Sequence, residues 1–187
     1  VPDPTAPIRL PLHGEGHLVS ADELAREHAK AGTRTAGGRE KSLRADVMAA
    51  FETLQETHAA FLETAARDFA LAPAAEWLVD NFAKAEQHYQ QVLHDLPQAY
   101  AKRLPHLREG IHEGRPRIYA VTWEYLAVTD ARFAAESSVS FIRSYQGEVE
   151  LRIGELWAFA IHMRALLIEN AARIARRTFV SQEARER

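Results

Sequence analysis

The sequence predicts an all-α protein: an antiparallel multi-helix bundle of about five to six helices preceded by a Pro-rich N-terminal arm. Apolar residues recur every three or four positions over most of the chain, which is the period of an amphipathic helix. Proline and glycine fall at the ends of these periodic segments, where they begin or end helices. Connections of about three to eight residues favour antiparallel packing of neighbouring helices.

Composition divides the chain into three predicted parts. Residues 1–17 contain four of the eight prolines and are predicted to form an extended arm or linker. Residues 18–180 are predicted to form a single helical domain, and residues 181–187 a polar tail. The start of the chain has no signal-peptide pattern. Because it also lacks an initiator Met, we expect the chain to be a fragment or a processed chain.

Three helices are predicted in the first half of the chain. Ser20 begins a Ser-x-x-Glu capping box, so a short helix should follow it and stop at Gly32. A long amphipathic helix is predicted over about residues 39–69. A third begins at Pro73, a residue favoured in a first helical turn, and is ended by Pro97.

The second half begins with an irregular region at residues 97–116, which is rich in proline and glycine. Residues 117–130, RIYAVTWEYLAVTD, have the β-branched and aromatic content of a strand, but their length and lack of a hairpin partner favour a helix. Further helices are predicted over about residues 134–146 and from residue 153 through the arginine-rich stretch ending at 177.

Composition and motifs exclude several functional classes. The chain has 187 residues, 47% of them hydrophobic and 26% charged, as in ordinary globular proteins. Its net charge of -3 argues against nucleic-acid binding. It has no cysteine, which excludes disulfides, thiol nucleophiles and thiolate metal sites. We expect no cofactor, because the sequence contains neither a Walker loop nor a G-x-G-x-x-G motif.

The segment IGELWAFAIHMRALLIEN, residues 153–170, is apolar enough to raise the question of a membrane span. Four ionisable residues interrupt it, which argues against one. On a helical wheel, Ile153 and Trp157 belong to a broad apolar stripe, whereas Glu155 and His162 lie on the opposite side. Glu155 and His162 are about 10 Å apart along the axis, too far for one metal or acid–base site, so a solvated or interhelical polar seam is predicted.

Two polar residues fall inside predicted apolar stripes and define a candidate structural polar lock between helices. Arg164 lies in the middle of the apolar stripe that contains Trp157. Asn81 lies in the apolar stripe of the helix that is predicted to begin at Pro73. A buried arginine needs a carboxylate or carbonyl partner, so Arg164 is predicted to pair with Asp80, Asp130 or Glu124. Snorkelling of Arg164 at the bundle edge is the alternative.

Other candidate chemistry is sparse, and we predict no catalytic, cofactor-binding or metal-binding residue. Glu109 and His112 form one Glu-x-x-His pair, but this pair lies in a Gly- and Pro-rich loop. The tryptophans could stack on sugars, although the wheel favours packing for Trp77 and Trp157. The basic run either complements the helix dipole or contacts an anionic membrane surface; it consists of Arg173, Arg176 and Arg177.

Several blocks together resemble a known family. LVSADELAREHA, PAAEWLVDNF, DLPQAYAKRLP, RPRIYAVTWEYLAVTDARF and IGELWAFAIHMRALLIEN occur in this order. As a set they are similar to the N-terminal helical region of the bacterial cyclic β-1,2-glucan synthases, over roughly residues 18–177. The resemblance implies a large inner-membrane parent with a glycosyltransferase domain that uses UDP-glucose and a phosphorylase-like domain. The family's catalytic acidic motifs lie downstream, and none maps to this chain.

The resemblance therefore implies a non-catalytic helical module on the cytoplasmic side of the bacterial inner membrane. It would act as a structural or regulatory scaffold whose partner is the remainder of its own synthase chain. Two alternatives remain open: a carbohydrate-binding module for β-1,2-glucan, and a free-standing enzyme of unknown reaction.

Overall fold

A computed structural model of the chain confirms the all-α prediction. The structure describes residues 20–35, 42–67 and 69–186. The helices in this described part are α1 (Ala21–Ala31), α2 (Leu43–Ala66), α3 (Pro73–Asp95), α4 (Gln98–Ala101), α5 (Arg117–Val128), α6 (Ala135–Gln146) and α7 (Ile153–Glu186). Two short strands, β1 (Thr33–Arg34) and β2 (His106–Leu107), complete the described elements.

The described residues fall into two compact units. The first comprises residues 43–67, 69–94 and 164–186, and the second comprises residues 20–35, 42 and 95–163. The predicted arm at residues 1–17 lies outside the described residues, and the extent of the helical domain, 18–180, stays a prediction. Residues 181–186 of the predicted polar tail belong to α7.

Local sequence signals place most helix ends correctly. The Ser20 side chain accepts a hydrogen bond from the Glu23 amide at 3.4 Å, which caps α1 as predicted. Gly32 ends that helix with φ 65°, and its N–H donates to the His28 carbonyl. The third predicted helix begins at Pro73 as expected. The helix predicted over 39–69 is shorter and runs over Leu43–Ala66; residues 39–41 and 68 lie outside the described residues.

The region predicted to be irregular contains α4 and β2 among its turns. β2 pairs antiparallel with β1, Thr33 opposite Leu107 and Arg34 opposite His106. Two-residue strands are too short to show a period-two pattern, so the sequence could not indicate this pair.

Aromatic side chains of α2 and α3 stack on one another in the first unit. The Phe51 ring stacks on Tyr89 at 4.1 Å between centroids, and the His58 ring stacks on Phe82 at 4.0 Å. The prediction that Trp77 packs in the core is wrong, because its side chain is 55% exposed. Its neighbour Leu78 is buried instead.

Helix α5 is the centre of the second unit. Every residue from Arg117 to Ala127 is buried, so this helix has no solvent face. Its burial on all sides explains the ambiguous sequence pattern, since a helix without a polar face lacks amphipathic periodicity. Apolar residues of α1 and of α4–α7 with their connections surround it: Ala21, Leu24, Ala25, Leu104, Tyr145, Leu151 and Ala158 join Ile118 and Val121 in one cluster.

Within the described ranges, no helix combines the length and apolar content needed to cross a bilayer.

The backbone at Gly32 should tolerate no side chain. Its φ of 65° and ψ of 169° lie in a region open almost only to glycine, so Gly32→Ala should lower the free energy of unfolding by about 1–3 kcal/mol. Urea unfolding measures this. Gly154→Ala is the matched control: the added Cβ would meet the Tyr100 hydroxyl at an ordinary 3.5 Å, so no loss is expected. Equal effects of the two substitutions would contradict the backbone explanation.

Candidate functional site

A buried ion pair joins α5 to α7 in the second unit. The Arg117 Nε donates to Oε1 of Glu155 at 2.9 Å, and Nη2 donates to Oε2 at 2.6 Å. Two parallel bonds from one guanidinium to one carboxylate are the strongest arrangement these groups adopt. The side chains are 9% and 0% exposed, so water contributes little to their solvation.

The same two side chains bind the chain segment that leads into α7. Glu155 Oε2 also accepts from the Arg152 amide at 3.0 Å, which satisfies a backbone donor at the start of α7. Arg117 Nη2 also donates to the Glu150 carbonyl at 3.0 Å. The pair therefore fixes both the position of residues 150–152 and the rotation of α7 about its axis.

Burial and ion pairing change the pKa of Arg117 in opposite directions. Burial works to lower the pKa of Arg117, but the hydrogen bonds and charge of Glu155 outweigh it and the pKa is raised. Arg117 thus stays charged inside the unit. A charge held in this way is destabilising as soon as its partner is removed.

A second buried polar contact joins α1 to α6. Nδ1 of His28 lies 2.9 Å from the Tyr145 hydroxyl, and both side chains are buried. Burial, with the charges of His112 and Arg117, lowers the pKa of His28 to about 4. Burial also raises the pKa of the Tyr145 hydroxyl; the negative charge of Glu155 adds to this and the positive charge of Arg117 opposes it. Both groups are therefore neutral at physiological pH.

His162 of α7 is fully buried. Its Nδ1 lies 2.8 Å from the Ala158 carbonyl, which can only accept, so Nδ1 carries the proton. Nε2 is then a hydrogen-bond acceptor, and within the described residues it has no partner. Burial, with the positive charges of Arg115 and His106, lowers the pKa of His162 to about 4 against the raising effect of the Ala158 bond.

The Tyr119 ring lies between several of these groups. His162 faces its edge with ring centroids 6.4 Å apart, and His112 does so at 5.6 Å. The Arg115 guanidinium lies over the ring at 4.5 Å, a cation–π contact. Three basic side chains thus surround one aromatic ring.

The residues of the predicted polar lock occupy other environments. Asn81 is half-buried and binds its own helix, donating to the Trp77 carbonyl at 2.9 Å and accepting from Lys84 at 3.2 Å. Arg164 is half-buried. Among its predicted partners, Asp80 and Asp130 are exposed and Glu124 is buried. The pairing of Arg164 with one of these carboxylates stays a prediction.

The predicted orientation of the first half of α7 is wrong. Ile153 and Trp157, expected in the core, are 75% and 76% exposed, whereas Glu155 and His162, expected on the polar side, are 0% exposed. The ion pair with Arg117 is the physical reason, because it requires the Glu155 side of the helix to face α5. The polar side of this helix was predicted to be either solvated or packed between helices. Glu155 is buried in the contact between α5 and α7, so the second alternative is correct for this residue.

Sequence reasoning missed Arg117. One signal was available: Arg117 begins a largely apolar helix, where the helix dipole disfavours a cation. A cation at such a position needs a carboxylate partner, although nothing in the sequence identifies Glu155 as that partner.

In the part of the chain that the structure describes, no group of three or more potential His, Asp or Glu ligands is arranged to hold a metal ion. The polar side chains of the second unit instead bind one another and the backbone across its helices. Fold and site together define an all-α module with a buried ionic network.

Comparison with known proteins adds a relationship in sequence. No family model matches the chain. Over 117 residues, 63% of its length, the chain is 38% identical to the cyclic beta-(1,2)-glucan synthase NdvB of Rhizobium meliloti (strain 1021). It spans only 4% of the length of that protein. The chain is therefore related to a segment of this synthase; the position of the segment at the N-terminus stays a prediction.

Breaking the buried ion pair should destabilise the protein strongly. Glu155→Gln leaves the Arg117 charge buried with a neutral partner and should lower the free energy of unfolding by about 3–5 kcal/mol. The double variant Arg117→Met/Glu155→Leu removes both charges and should recover most of that loss.

Denaturant unfolding measures both variants, and Glu150→Gln is the matched control. Glu150 is exposed and contributes only its carbonyl to Arg117, so its substitution should change stability by about 0.5 kcal/mol or less. If Glu155→Gln changed stability as little as this control, the ion pair would not be a structural determinant.

Acid should destabilise the second unit through its buried histidines. The pKa of His28 and of His162 is lowered from 6.5 to about 4, so the unfolded chain takes up protons first as the pH falls. The contribution of each histidine to the free energy of unfolding is therefore complete above about pH 6.5. It falls by roughly 2–3 kcal/mol for each group as the pH is lowered towards 4.

Urea unfolding at several pH values gives the slope of stability against pH. His28→Gln should reduce this slope between pH 6.5 and pH 4, whereas substitution of the exposed His88 should not. Imidazole NMR resonances of His28 and His162 that titrate near pH 6.5 would refute this assignment.

Proposed function

We propose that this chain is a non-catalytic helical module of a membrane-bound cyclic β-1,2-glucan synthase. The module acts as a structural or regulatory scaffold for an enzyme that transfers glucosyl groups from UDP-glucose to β-1,2-glucan. Its relationship to a segment of the Rhizobium synthase is the observation that carries this proposal. We further propose a location on the cytoplasmic side of the bacterial inner membrane.

The use of the buried polar groups supports a scaffold role. A catalytic acid or base must reach the reacting atoms of a substrate. The Glu155 carboxylate is instead bound by Arg117 and the Arg152 amide, and His28 is bound to Tyr145. These contacts join α1 to α6 and α5 to α7, so their evident role is to hold helices together.

The partners proposed for the module are the remainder of its synthase chain and an anionic membrane surface. The basic residues Arg176 and Arg177 are exposed near the end of α7 and can contact anionic headgroups. Arg173 is half-buried and donates to Asn170, so it is less available than the other two.

Carbohydrate binding is a second candidate function, favoured by one observation. Trp157 and Trp77 are mostly exposed, and a solvent-facing indole can stack on the apolar face of a pyranose ring. This candidate predicts that the isolated chain binds β-1,2-glucooligosaccharides and that Trp157→Ala weakens binding. A calorimetric titration without heat would eliminate it.

The scaffold proposal predicts a clear division between module and enzyme. The isolated chain should incorporate no glucose from labelled UDP-glucose into glucan. A full-length synthase with Glu155→Gln in this module should show reduced abundance or activity in membranes, because the module is destabilised. The same synthase with Glu150→Gln is the control and should resemble the wild type.

Two results would contradict this proposal. Turnover of UDP-glucose by the isolated chain would show that the module is itself catalytic. Full abundance and activity of a synthase lacking the module would show that the enzyme needs no such scaffold.

A further inference from the structure

The side of α7 that carries Ile153 and Trp157 is partly or fully exposed along much of the helix. α7 is one continuous helix, Ile153–Glu186. Residues that alternate in steps of four and three lie on one side of a helix. On α7 they are Ile153, Trp157, Ala160, Arg164, Leu167, Ala171 and Ile174. We call these seven residues the outer stripe. None of them is buried, and Ile153, Trp157 and Ile174 are 75%, 76% and 46% exposed.

The ion pair directs the start of the outer stripe into solvent. Glu155 lies about 200° from both Ile153 and Trp157 on the helical wheel, so burial of Glu155 against Arg117 turns these two side chains outwards. Ala158, on the Glu155 side, is fully buried. Two large exposed apolar side chains on adjacent turns form a patch of the kind that marks a protein contact.

The spacing of the outer stripe indicates the form of the surface that covers it. Apolar residues in steps of four and three are the pattern of a coiled-coil seam, in which the side chains of one helix insert between those of another. An amphipathic helix can bind its partner through anchors spaced in this way. The outer stripe therefore fits an α-helix that lies along α7.

Arg164 determines the charge of this helix. It lies in the middle of the outer stripe and is half-buried. A docked helix would remove its guanidinium further from water, and a buried guanidinium keeps its charge and needs a carboxylate. A single polar residue in a coiled-coil seam also fixes the register of the two helices. We therefore expect the docked helix to carry Asp or Glu opposite Arg164.

A second copy of α7 does not meet this requirement. The outer stripe contains no carboxylate. Two α7 helices paired through their outer stripes, in either direction, would bury Arg164 without Asp or Glu opposite, which is strongly unfavourable. The docked helix must therefore come from a different segment.

The proposed parent provides such segments. The chain spans only 4% of the length of the Rhizobium synthase, so most of a parent synthase lies outside it. Covalent linkage raises the effective concentration of a segment within reach, so even a narrow seam can bind it. We propose that the outer stripe docks an amphipathic helix from the remainder of the synthase chain, with a carboxylate opposite Arg164. This docking rests on the proposed function and adds to it the surface, the form of the partner segment and its charge.

Binding of the purified chain to a solubilised synthase that lacks this module tests the proposal. The wild-type chain should bind. Ile153→Ser/Trp157→Ser should weaken the apparent affinity by about tenfold or more, because it removes the two largest anchors. Its thermal melt by circular dichroism should match that of the wild type, because both side chains are mostly exposed. Trp77→Ser is the matched control: it removes another mostly exposed tryptophan, from α3, and should leave binding unchanged.

Cross-linking in the full-length synthase identifies the docked helix. Photo-reactive benzoylphenylalanine in place of Trp157 should cross-link to another segment of the same chain, which mass spectrometry of the joined peptides locates. Arg164→Glu should reduce the yield of this cross-link by about tenfold. Lys in place of the carboxylate found opposite Arg164 should restore the yield, because the reversed pair is again complementary.

Several results would overturn the proposal. Equal binding by the wild-type chain and the Ile153→Ser/Trp157→Ser variant is one, and an equal loss in Trp77→Ser is another. Cross-links from position 157 only to lipid, to glucan or to a second synthase molecule would assign the outer stripe to that partner. If charge reversal failed to restore the cross-link, the expected carboxylate opposite Arg164 would be refuted.

Failure of the docking and failure of the scaffold role give different results. A synthase that is fully active without the module, yet binds the added chain through the outer stripe, would contradict the scaffold role and support the docking. A synthase that needs the module, but shows no binding or cross-link through the outer stripe, would support the scaffold role and contradict the docking.

Discussion

The arrangement of the second unit depends on one constraint: the positive charge of Arg117 cannot be shed and must be neutralised where it is buried. Only a carboxylate in bidentate geometry satisfies this requirement fully, and Glu155 supplies it. From this contact follow the rotation of α7, the closure of residues 150–152 against α5, and the direction in which Trp157 points. The neighbouring His28–Tyr145 contact is neutral, which avoids a second uncompensated charge close to the first.

The ion pair selects one packing from two that hydrophobicity alone would allow. The start of α7 has apolar side chains on both sides: Ile153 and Trp157 on one, Ala158 and Leu156 nearer the other. By burial of apolar area alone, the Trp157 side is the better core face. Packing that way would leave Arg117 buried without its carboxylate, at a cost of several kcal/mol. The charge pair therefore favours the packing in which the Glu155 side of α7 faces α5.

The competition between apolar burial and charge pairing also limits what can be predicted from the sequence. Helix ends at Ser20, Gly32 and Pro73 depend on local backbone chemistry, and so they are visible in the sequence. The helical state of α5 was predictable from its length. The buried face of α7 was not, because it depends on a residue 38 positions earlier in the chain, and periodicity weighs only neighbours on the same helix. The same limit applies to Trp77, because periodicity does not show which part of a broad apolar stripe the rest of the unit covers.

The candidate site shows this limit most clearly. Arg164 and Asn81 were predicted to form a polar lock because they are polar residues within apolar stripes. A polar residue in such a stripe indicates a buried polar contact only when the stripe is the buried face of the helix. Arg117 met a different criterion, a cation at the start of an apolar helix. Glu155 and His162 carried no signal of burial, because a polar residue opposite an apolar stripe is normally solvated. Long-range pairing of this kind becomes visible only in three dimensions.

The buried helix α5 has a consequence for the order in which the protein is made. Arg117 leaves the ribosome 38 residues before Glu155, which at about 5–20 residues per second is a delay of roughly 2–8 s. Until Glu155 arrives, the guanidinium must remain hydrated, and the apolar helix behind it cannot be buried. During synthesis, the second unit can therefore complete its packing only after the first turn of α7 has been made.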